Sequence, residues 1–188
     1  MSILHTARLT LRPLRVEDFD WLTAQSGDAR VMASLGGVRS TAQVRAWLER
    51  EILHFDQFGY CRNVVEYQGE SIGLVGLTRR DFDAGLVTGI EVAWQLAYAH
   101  WGRGFATEAA QCVIEDGFTT HALSEVIAVT SIGNARSRSV MARLGMLYSP
   151  NETFEHPHLE EGNPLRTHVV YRLRRSRGLE LNETSKLG

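Results

Sequence analysis

The sequence has few cysteines and no cysteine motif. Cys61 and Cys112 stand far apart, in neither a CxxC pair nor a metal-ligand spacing. This usage argues against a zinc ribbon and against a disulfide-stapled secreted scaffold, and it is typical of a reducing compartment. We therefore expect a cytoplasmic protein.

The chain also lacks a basic excess and a long apolar run. Twenty lysines and arginines against 22 aspartates and glutamates leave a formal charge of −2. No positive field is therefore available to attract nucleic acid or an acidic membrane surface. No stretch approaches the roughly 20 apolar residues of a membrane span, and residues 1–5 lack the pattern of a signal peptide. We expect no nucleic-acid partner and no membrane partner.

What is present is typical of a globular protein with one domain. The chain has 188 residues, of which 44% are hydrophobic and 22% are charged, enough to bury a core and form a cleft. We assign the domain to residues 1–174. Residues 175–188 show no periodicity and few bulky apolar side chains, so we expect a frayed tail there.

Hydrophobic periodicity predicts a mixed α/β fold in the order β-α-α-β-β-β-α-β-α-β-β. Ser40 with Gln43 has the spacing of a capping box at the start of a long helix. Gln68, Gly69 and Glu70 predict a hairpin turn. The principal predicted strands cover 10–14, 62–67, 71–78, 89–96, 126–130 and 167–173. The principal predicted helices start near 16 and cover 41–57, 106–119 and 134–144.

Residues 101–109 read WGRGFATEA, a glycine turn between a strand and a helix. Small residues at Gly102, Gly104 and Ala106 let a ligand approach the main chain. The free amides and the dipole of the new helix favour an anion, by about 0.3 to 1 kcal/mol from the dipole alone. The segment lacks the Lys-Ser/Thr ending of a P-loop, and Thr107 stands where a dinucleotide fingerprint has its third glycine. It predicts a phosphate cradle, with close helix packing as the alternative.

Residues 134–146 begin a second helix just after the strand at 126–130. Asn134 is a natural N-cap with Ser137 at the third helical position, and capping alone would explain both residues. The two segments together put two helix N-termini at the carboxyl ends of successive parallel strands. Open α/β sheets bind ligands at such a place.

These residues resemble the GNAT acyl-CoA-dependent N-acetyltransferases, over about residues 6–173. Within that family, the start TARLTLR at 6–12, the EVAW at 91–94 and the WGRGFATEA at 101–109 resemble the branch of ribosomal-protein N-terminal acetyltransferases. One departure is visible, because Trp101 stands where the family usually has Gln or Arg.

The resemblance implies a twisted mixed sheet of about seven strands, flanked by about four helices. The sheet would splay between strands 89–96 and 126–130, with the pantetheine arm of acetyl-CoA between them and CoA as the product. The implied cofactor contacts are Trp94, Gln95, Leu96, Gly102, Arg103, Gly104, Phe105, Ala106, Thr107, Asn134, Ser137 and Arg138. For Arg103 and Arg138, a solvated surface charge is the alternative.

Direct attack by an amine needs a proton acceptor, because an alkyl ammonium with a pKa of about 10.4 is neutral in only about one molecule in 2,500 at pH 7. Glu91, on the strand that leads into the glycine turn, is the candidate. Its alternative role is to pair with a neighbouring arginine. A backbone amide at a bulge around 94–96 would stabilise the oxyanion. Ser137, or alternatively Tyr171, would protonate the leaving thiolate.

Acceptor recognition is expected near 17–57 and 149–165. His156 and His158 flank a proline without a third ligand at motif spacing, so we expect a substrate-side loop and no metal. A peptide N-terminus, an aminoglycoside, a polyamine and an amino acid all remain open as acceptors, as does a homodimer. A non-catalytic acyl-CoA sensor on the same fold is the competing class.

Overall fold

The structure is a computed structural model that describes residues 3–81 and 87–175. Within this part of the chain, nine strands form one mixed sheet. The strands are β1 (Leu4–His5), β2 (Thr10–Pro13), β3 (Arg62–Tyr67), β4 (Glu70–Asp81), β5 (Thr88–Leu96), β6 (Glu125–Ser131), β7 (Leu147–Tyr148), β8 (Phe154–Glu155) and β9 (Thr167–Arg174). Their spatial order is β1-β2-β3-β4-β5-β6-β9-β7, and β8 also pairs with β9. The tail expected at 175–188 lies, apart from Arg175, outside the described residues.

Five α-helices accompany the sheet in the described residues. They are α1 (Phe19–Gly27), α2 (Ala29–Met32), α3 (Thr41–Phe58), α4 (Phe105–Thr119) and α5 (Ala135–Arg143). The capping box of α3 is confirmed, since the Ser40 side chain accepts from the Gln43 amide and the Gln43 side chain accepts from the Ser40 amide. The helix ends at Gly59, which has a left-handed backbone with φ of 79°.

The β3–β4 hairpin is confirmed, with a shorter turn than expected. Tyr67 pairs with Glu70, so the loop has only two residues. Gln68 and Gly69 both have positive φ, 52° and 81°, as the type I′ turn of a two-residue hairpin requires.

Side-chain alternation on the central strands divides the core between the two faces of the sheet. On one face, Val75 and Val92 pack with the buried side of α4. On the other face, Val64 and Leu74 pack with Leu22 of α1 and residues of α3. The sheet is therefore covered on both sides, as hydrophobic strands of this kind require.

The expected splay is confirmed where β5 and β6 pair in parallel, the one parallel pairing among the described strands. Strands β5 and β6 share a single register pair, Glu91 opposite Ile127, and β5 then continues to Leu96 without a partner on that side. In the described residues, the sheet has nine strands instead of about seven, and five helices accompany it instead of about four. The elements β1, β7, β8 and α2 have two to four residues, too few to show a periodic pattern. Where the predicted order has one strand without bounds, between the helix at 134–144 and the last strand, the structure has the two short strands β7 and β8.

Candidate active site

A cleft of about 1460 Å³ opens where β5 and β6 diverge. Its walls are the end of β5, the glycine turn, the first turns of α4, the end of β6 and the start of α5. A second group of lining residues comes from the segment between α2 and α3 and from the loop between β8 and β9. Typical small-molecule pockets have about 300 to 1,000 Å³, so this cleft has room for a long cofactor and a second substrate.

The glycine turn has the backbone geometry that its sequence predicts. Gly102 and Gly104 have φ of 73° and 79°, and Gly104 is the N-cap residue of α4 without a side-chain cap. The first-turn amides of a helix have no intrahelical acceptor, so those of α4 are available to a ligand in the cleft. Trp101 fixes the turn to the sheet, because its Nε1 donates to the carbonyl oxygen of Leu96 at 2.8 Å.

The N-terminal segment supports the start of α4. Arg8 Nε donates to Oε2 of Glu108 at 2.7 Å, and the Thr6 hydroxyl donates to Oε1 at 2.6 Å. Arg8 also donates from Nη1 to the carbonyl oxygen of Arg103 at 3.1 Å. Burial alone would raise the pKa of Glu108, but these hydrogen bonds outweigh it and lower that pKa. The carboxylate near the helix N-terminus is therefore neutralised by Arg8.

Arg103 lies outside the cleft lining of the described residues. Its guanidinium carbon is 4.7 Å from the centroid of the Phe105 ring and 5.0 Å from that of Tyr67. The side chain of Arg103 therefore covers two aromatic rings, while the main chain of the turn faces the cleft. Phe105 anchors the helix start, since only 1% of it is exposed.

The start of α5 brings Asn134 and Ser137 to the cleft. Oδ1 of Asn134 accepts from the Ser137 amide at 3.1 Å, which confirms the predicted cap. The Nδ2 group of Asn134 does not take part in that cap. Asn134 thus combines a structural bond with a free donor beside the splay.

Tyr171 and Arg138 bond to each other, and the cleft lining of the described residues does not include them. Arg138 Nε donates to the Tyr171 hydroxyl at 3.1 Å, and Nη1 donates to the carbonyl oxygen of Ile132 at 3.1 Å. Tyr171 is 8% exposed and belongs to the core beside α4. Of the two candidate thiolate donors, the structure brings only Ser137 to the cleft.

The bulge expected around 94–96 is not present in β5, so that expectation is corrected. Strand β5 pairs with β4 in unbroken register from Thr88 to Leu96. Gly73 stands opposite Leu96, and a Cβ on Gly73 would lie 2.3 Å from Leu96 Cδ2. The glycine thus permits the close, regular pairing.

The regular pairing itself leaves backbone amides facing the splay. Ala97 donates its amide to the carbonyl oxygen of Ile72 at 2.8 Å, and amides alternate in direction along a strand. The amides of Trp94 and Leu96 therefore point away from β4, toward the gap between β5 and β6.

Glu91 lies in the cleft and forms an ion pair with Arg80. Oε1 of Glu91 is 2.6 Å from Nη1 of Arg80, and Glu91 is 9% exposed. The pairing role that the sequence left open for Glu91 is thus observed. Its position on the cleft wall keeps the catalytic role open as well.

Two of the histidines that line the cleft are His156, which the sequence analysis expected on a substrate-side loop, and His168, which it did not assign to the site. The rings of His156 and His168 are 5.0 Å apart. His168 Nδ1 lies 3.1 Å from the carbonyl oxygen of Arg166, so Nδ1 carries the proton of the neutral ring and Nε2 holds a lone pair. Burial lowers the pKa of both His156 and His168, which favours neutral rings. Only the pairing of β8 with β9 brings them together, and no local motif signals it.

Three further observations concern Cys112, metal binding and membrane crossing. Cys112 of α4 is half-buried and lines the cleft, and burial raises its pKa. Within residues 3–81 and 87–175, no group of three or more His, Cys, Asp or Glu side chains is arranged to hold a metal ion. None of the helices in the same ranges combines the length and apolar character that a bilayer crossing requires.

Comparisons with known proteins match this chain to the GNAT acetyltransferases. The family described as acetyltransferase (GNAT) domain matches residues 8–147 of this chain. The uncharacterized N-acetyltransferase p20 of Bacillus licheniformis is 30% identical over 148 residues, which cover 77% of this chain and 82% of that protein. An acetyltransferase structure from Agrobacterium tumefaciens is 26% identical with a TM-score of 0.76, covering 93% of this chain and 95% of that one. The RimL ribosomal L7/L12 alpha-N-protein acetyltransferase in complex with CoA has a TM-score of 0.76 at 14% identity, covering 92% and 98%, a likeness of fold alone.

Proposed function

Because this chain belongs to the GNAT acetyltransferase family, we propose that it transfers an acetyl group from acetyl-CoA to a primary amine. The amine attacks the thioester directly while both substrates are bound. The observation that carries the proposal is the free N-terminus of α4, which opens into the splay between β5 and β6. A phosphate site and a gap for an extended arm thus lie side by side.

In this proposal, acetyl-CoA occupies the phosphate site and the adjoining gap between β5 and β6. The amides from Gly102 to Ala106 hold the pyrophosphate, with Phe105 and Thr107 in the same first turn. The pantetheine arm lies along Trp94, Gln95 and Leu96. Its polar groups meet the backbone edge that β5 leaves unpaired, and Asn134 contacts the arm from α5. Arg103, whose side chain covers two aromatic rings, contributes through its main chain. Arg138 bonds to Tyr171 and through its amide to the carbonyl oxygen of Asn134, and so supports the start of α5.

The chemistry uses three groups beside the thioester. A splay-facing amide of Trp94 or Leu96 stabilises the oxyanion, a role that typically accounts for about 3 to 4 kcal/mol of transition-state stabilisation. Glu91 receives the amine proton through water. The Ser137 hydroxyl protonates the departing thiolate, and Tyr171 supports Arg138.

The acceptor is a protein N-terminus or a small amine. The expected cytoplasmic location rests on Cys61 and Cys112, both of which are free thiols. A homodimer stays a prediction. The assignment of one acetyltransferase domain to residues 1–174 also stays a prediction.

The competing function is a non-catalytic acyl-CoA sensor, in which Glu91 serves only as the ion-pair partner of Arg80. Thiol release from acetyl-CoA, measured over a panel of peptide N-termini and small amines, separates the two. The proposal predicts turnover with at least one acceptor and tight binding of CoA. Binding of CoA without turnover across the panel would support the sensor.

A further inference from the structure

Four of the arginines that line the cleft differ in their pairing. They are Arg30, Arg39, Arg62 and Arg80. Arg30 pairs with Asp28 at 2.6 Å. Arg62 pairs with the buried Glu51, and Arg80 pairs with Glu91. In each of these pairs a carboxylate neutralises the guanidinium.

Arg39 has no such partner. No carboxylate in the described part of the chain forms an ion pair or a hydrogen bond with its side chain, which is half-buried and lines the cleft. The Arg39 amide donates to the carbonyl oxygen of Ser26 at 3.2 Å, so the backbone holds the residue beside the cleft. Its guanidinium carbon is 5.8 Å from the centroid of the Trp47 ring.

The surroundings of Arg39 disfavour its charge. Burial lowers the pKa of Arg39, and the nearby charges of Arg62 and Arg50 lower it further, while the charge of Glu51 offsets only a small part of this. Arg62 lies at the same distance of 5.8 Å from the Trp47 ring, so two guanidinium groups share one aromatic side chain. A half-buried cation beside another cation is costly unless an anion joins it.

We propose that the acceptor is an amine that also carries an anionic group, a carboxylate or a phosphate, and that Arg39 binds this group. The inference rests on the proposed function, since it names the substrate class of the same cleft. A guanidinium matches both groups with paired, charge-assisted hydrogen bonds. The overall charge of −2 opposes an anionic acceptor only weakly, because the local excess at Arg39 is positive.

The test compares matched acceptors. One pair is β-alanine and β-alaninamide, and the other is O-phosphoethanolamine and ethanolamine. The preference is the ratio of kcat/KM for the anionic member to that for the neutral member. Comparing this ratio between protein variants cancels the intrinsic basicity of each amine. The two pairs separate a carboxylate from a phosphate as the recognised group.

Three variants complete the design. Arg39→Gln removes the charge, and Arg39→Lys keeps the charge but loses the planar fork. Arg50→Gln is the matched control, because Arg50 is exposed on the same side and does not line this cleft. We expect Arg39→Gln to lower the preference at least tenfold for one pair, mainly by raising KM for the anionic acceptor. Arg39→Lys should keep part of the preference, Arg50→Gln should keep it all, and affinity for CoA should stay unchanged.

An equal preference in the wild type and in Arg39→Gln would overturn the inference while leaving the proposed function intact. If no amine is acetylated, the proposed function fails, and calorimetry on the CoA-loaded protein decides the inference separately. Binding of β-alanine or O-phosphoethanolamine that Arg39→Gln weakens at least tenfold supports the anion site. Binding that is absent, or that Arg39→Gln leaves unchanged, overturns it.

Discussion

Arg80 and Glu91 lie on neighbouring strands with Nη1 of Arg80 2.6 Å from Oε1 of Glu91. The ion pair fixes the Glu91 carboxylate on the wall of the cleft, at the register pair with Ile127 that joins β5 to β6. A carboxylate held in this way is oriented for proton transfer through a water molecule. Arg80 thus positions the residue that the proposal uses as the proton acceptor.

Replacing Glu91 with Gln should therefore lower kcat about 100- to 10,000-fold, the contribution of a positioned acid-base group. CoA affinity should stay unchanged. The rise of rate with pH that belongs to the enzyme's base should disappear, leaving the titration of the free amine. Glu66→Gln is the control, because Glu66 pairs with Arg12 at 2.7 Å outside the cleft. If Glu91→Gln keeps near-normal turnover and the wild-type dependence of rate on pH, Glu91 is structural. If His168→Gln instead loses the rise of rate with pH, His168 is the residue that accepts the proton.

Gly104 tests the placement of the pyrophosphate. Gly104→Val should weaken CoA binding, measured by calorimetry, because a branched side chain blocks the approach to the amides of α4. A non-glycine residue in the left-handed region also costs about 1 to 2 kcal/mol of folding free energy. Gly145→Val controls for that cost, since Gly145 has φ of 74° with open space around its Cβ position. Unchanged CoA affinity in a folded Gly104→Val protein would refute the placement.

The contact between Arg8 and Glu108 gives an independent test of the same turn. Arg8→Ala removes the bond to the Arg103 carbonyl and leaves the Glu108 carboxylate unneutralised near the helix N-terminus. An uncompensated negative charge there repels a phosphate, so CoA affinity should fall severalfold. The double variant Arg8→Ala, Glu108→Gln should recover part of that loss, and no recovery would show that Arg8 acts only by packing.

Stability should depend on pH through the two cleft histidines. Burial lowers the pKa of His156 and His168 below the ordinary value of about 6.5. The unfolded chain then takes up protons first on acidification, so the free energy of unfolding falls as the pH drops below about 6.5. Denaturant titrations at pH 7, 6 and 5 should show this slope in the wild type and a smaller slope in His168→Gln. The same slope in wild type and His168→Gln would contradict the assignment.

The sequence predicted those parts of the fold that carry local signals. The Ser40 capping box and the glycines at 102 and 104 each specify a backbone conformation from a few neighbouring residues. The strand at 62–67 was predicted with its observed bounds. The predicted order has one strand without bounds between α5 and β9, where the structure has β7 and β8, because two residues form a strand only when β9 supplies the partner.

The candidate site likewise has one part that the sequence predicted and one part that it did not. The cofactor half, from Gly102 to Ser137, lies on two helix starts whose motifs are local. The other half depends on tertiary contacts, because Arg39 and His168 reach the cleft from opposite ends of the chain. The expected bulge in β5 failed for a similar reason, since the glycine that permits regular pairing, Gly73, lies on a different strand.

The most direct test of direct acetyl transfer is intact-mass analysis of the protein together with product measurement. The protein is first incubated with acetyl-CoA alone, and an accepted amine is then added. The proposed reaction predicts an unmodified protein and no CoA release in the first step, followed by one acetylated amine for each CoA released. An acetylated protein before the amine is added, or CoA release without an acetylated amine, would contradict it.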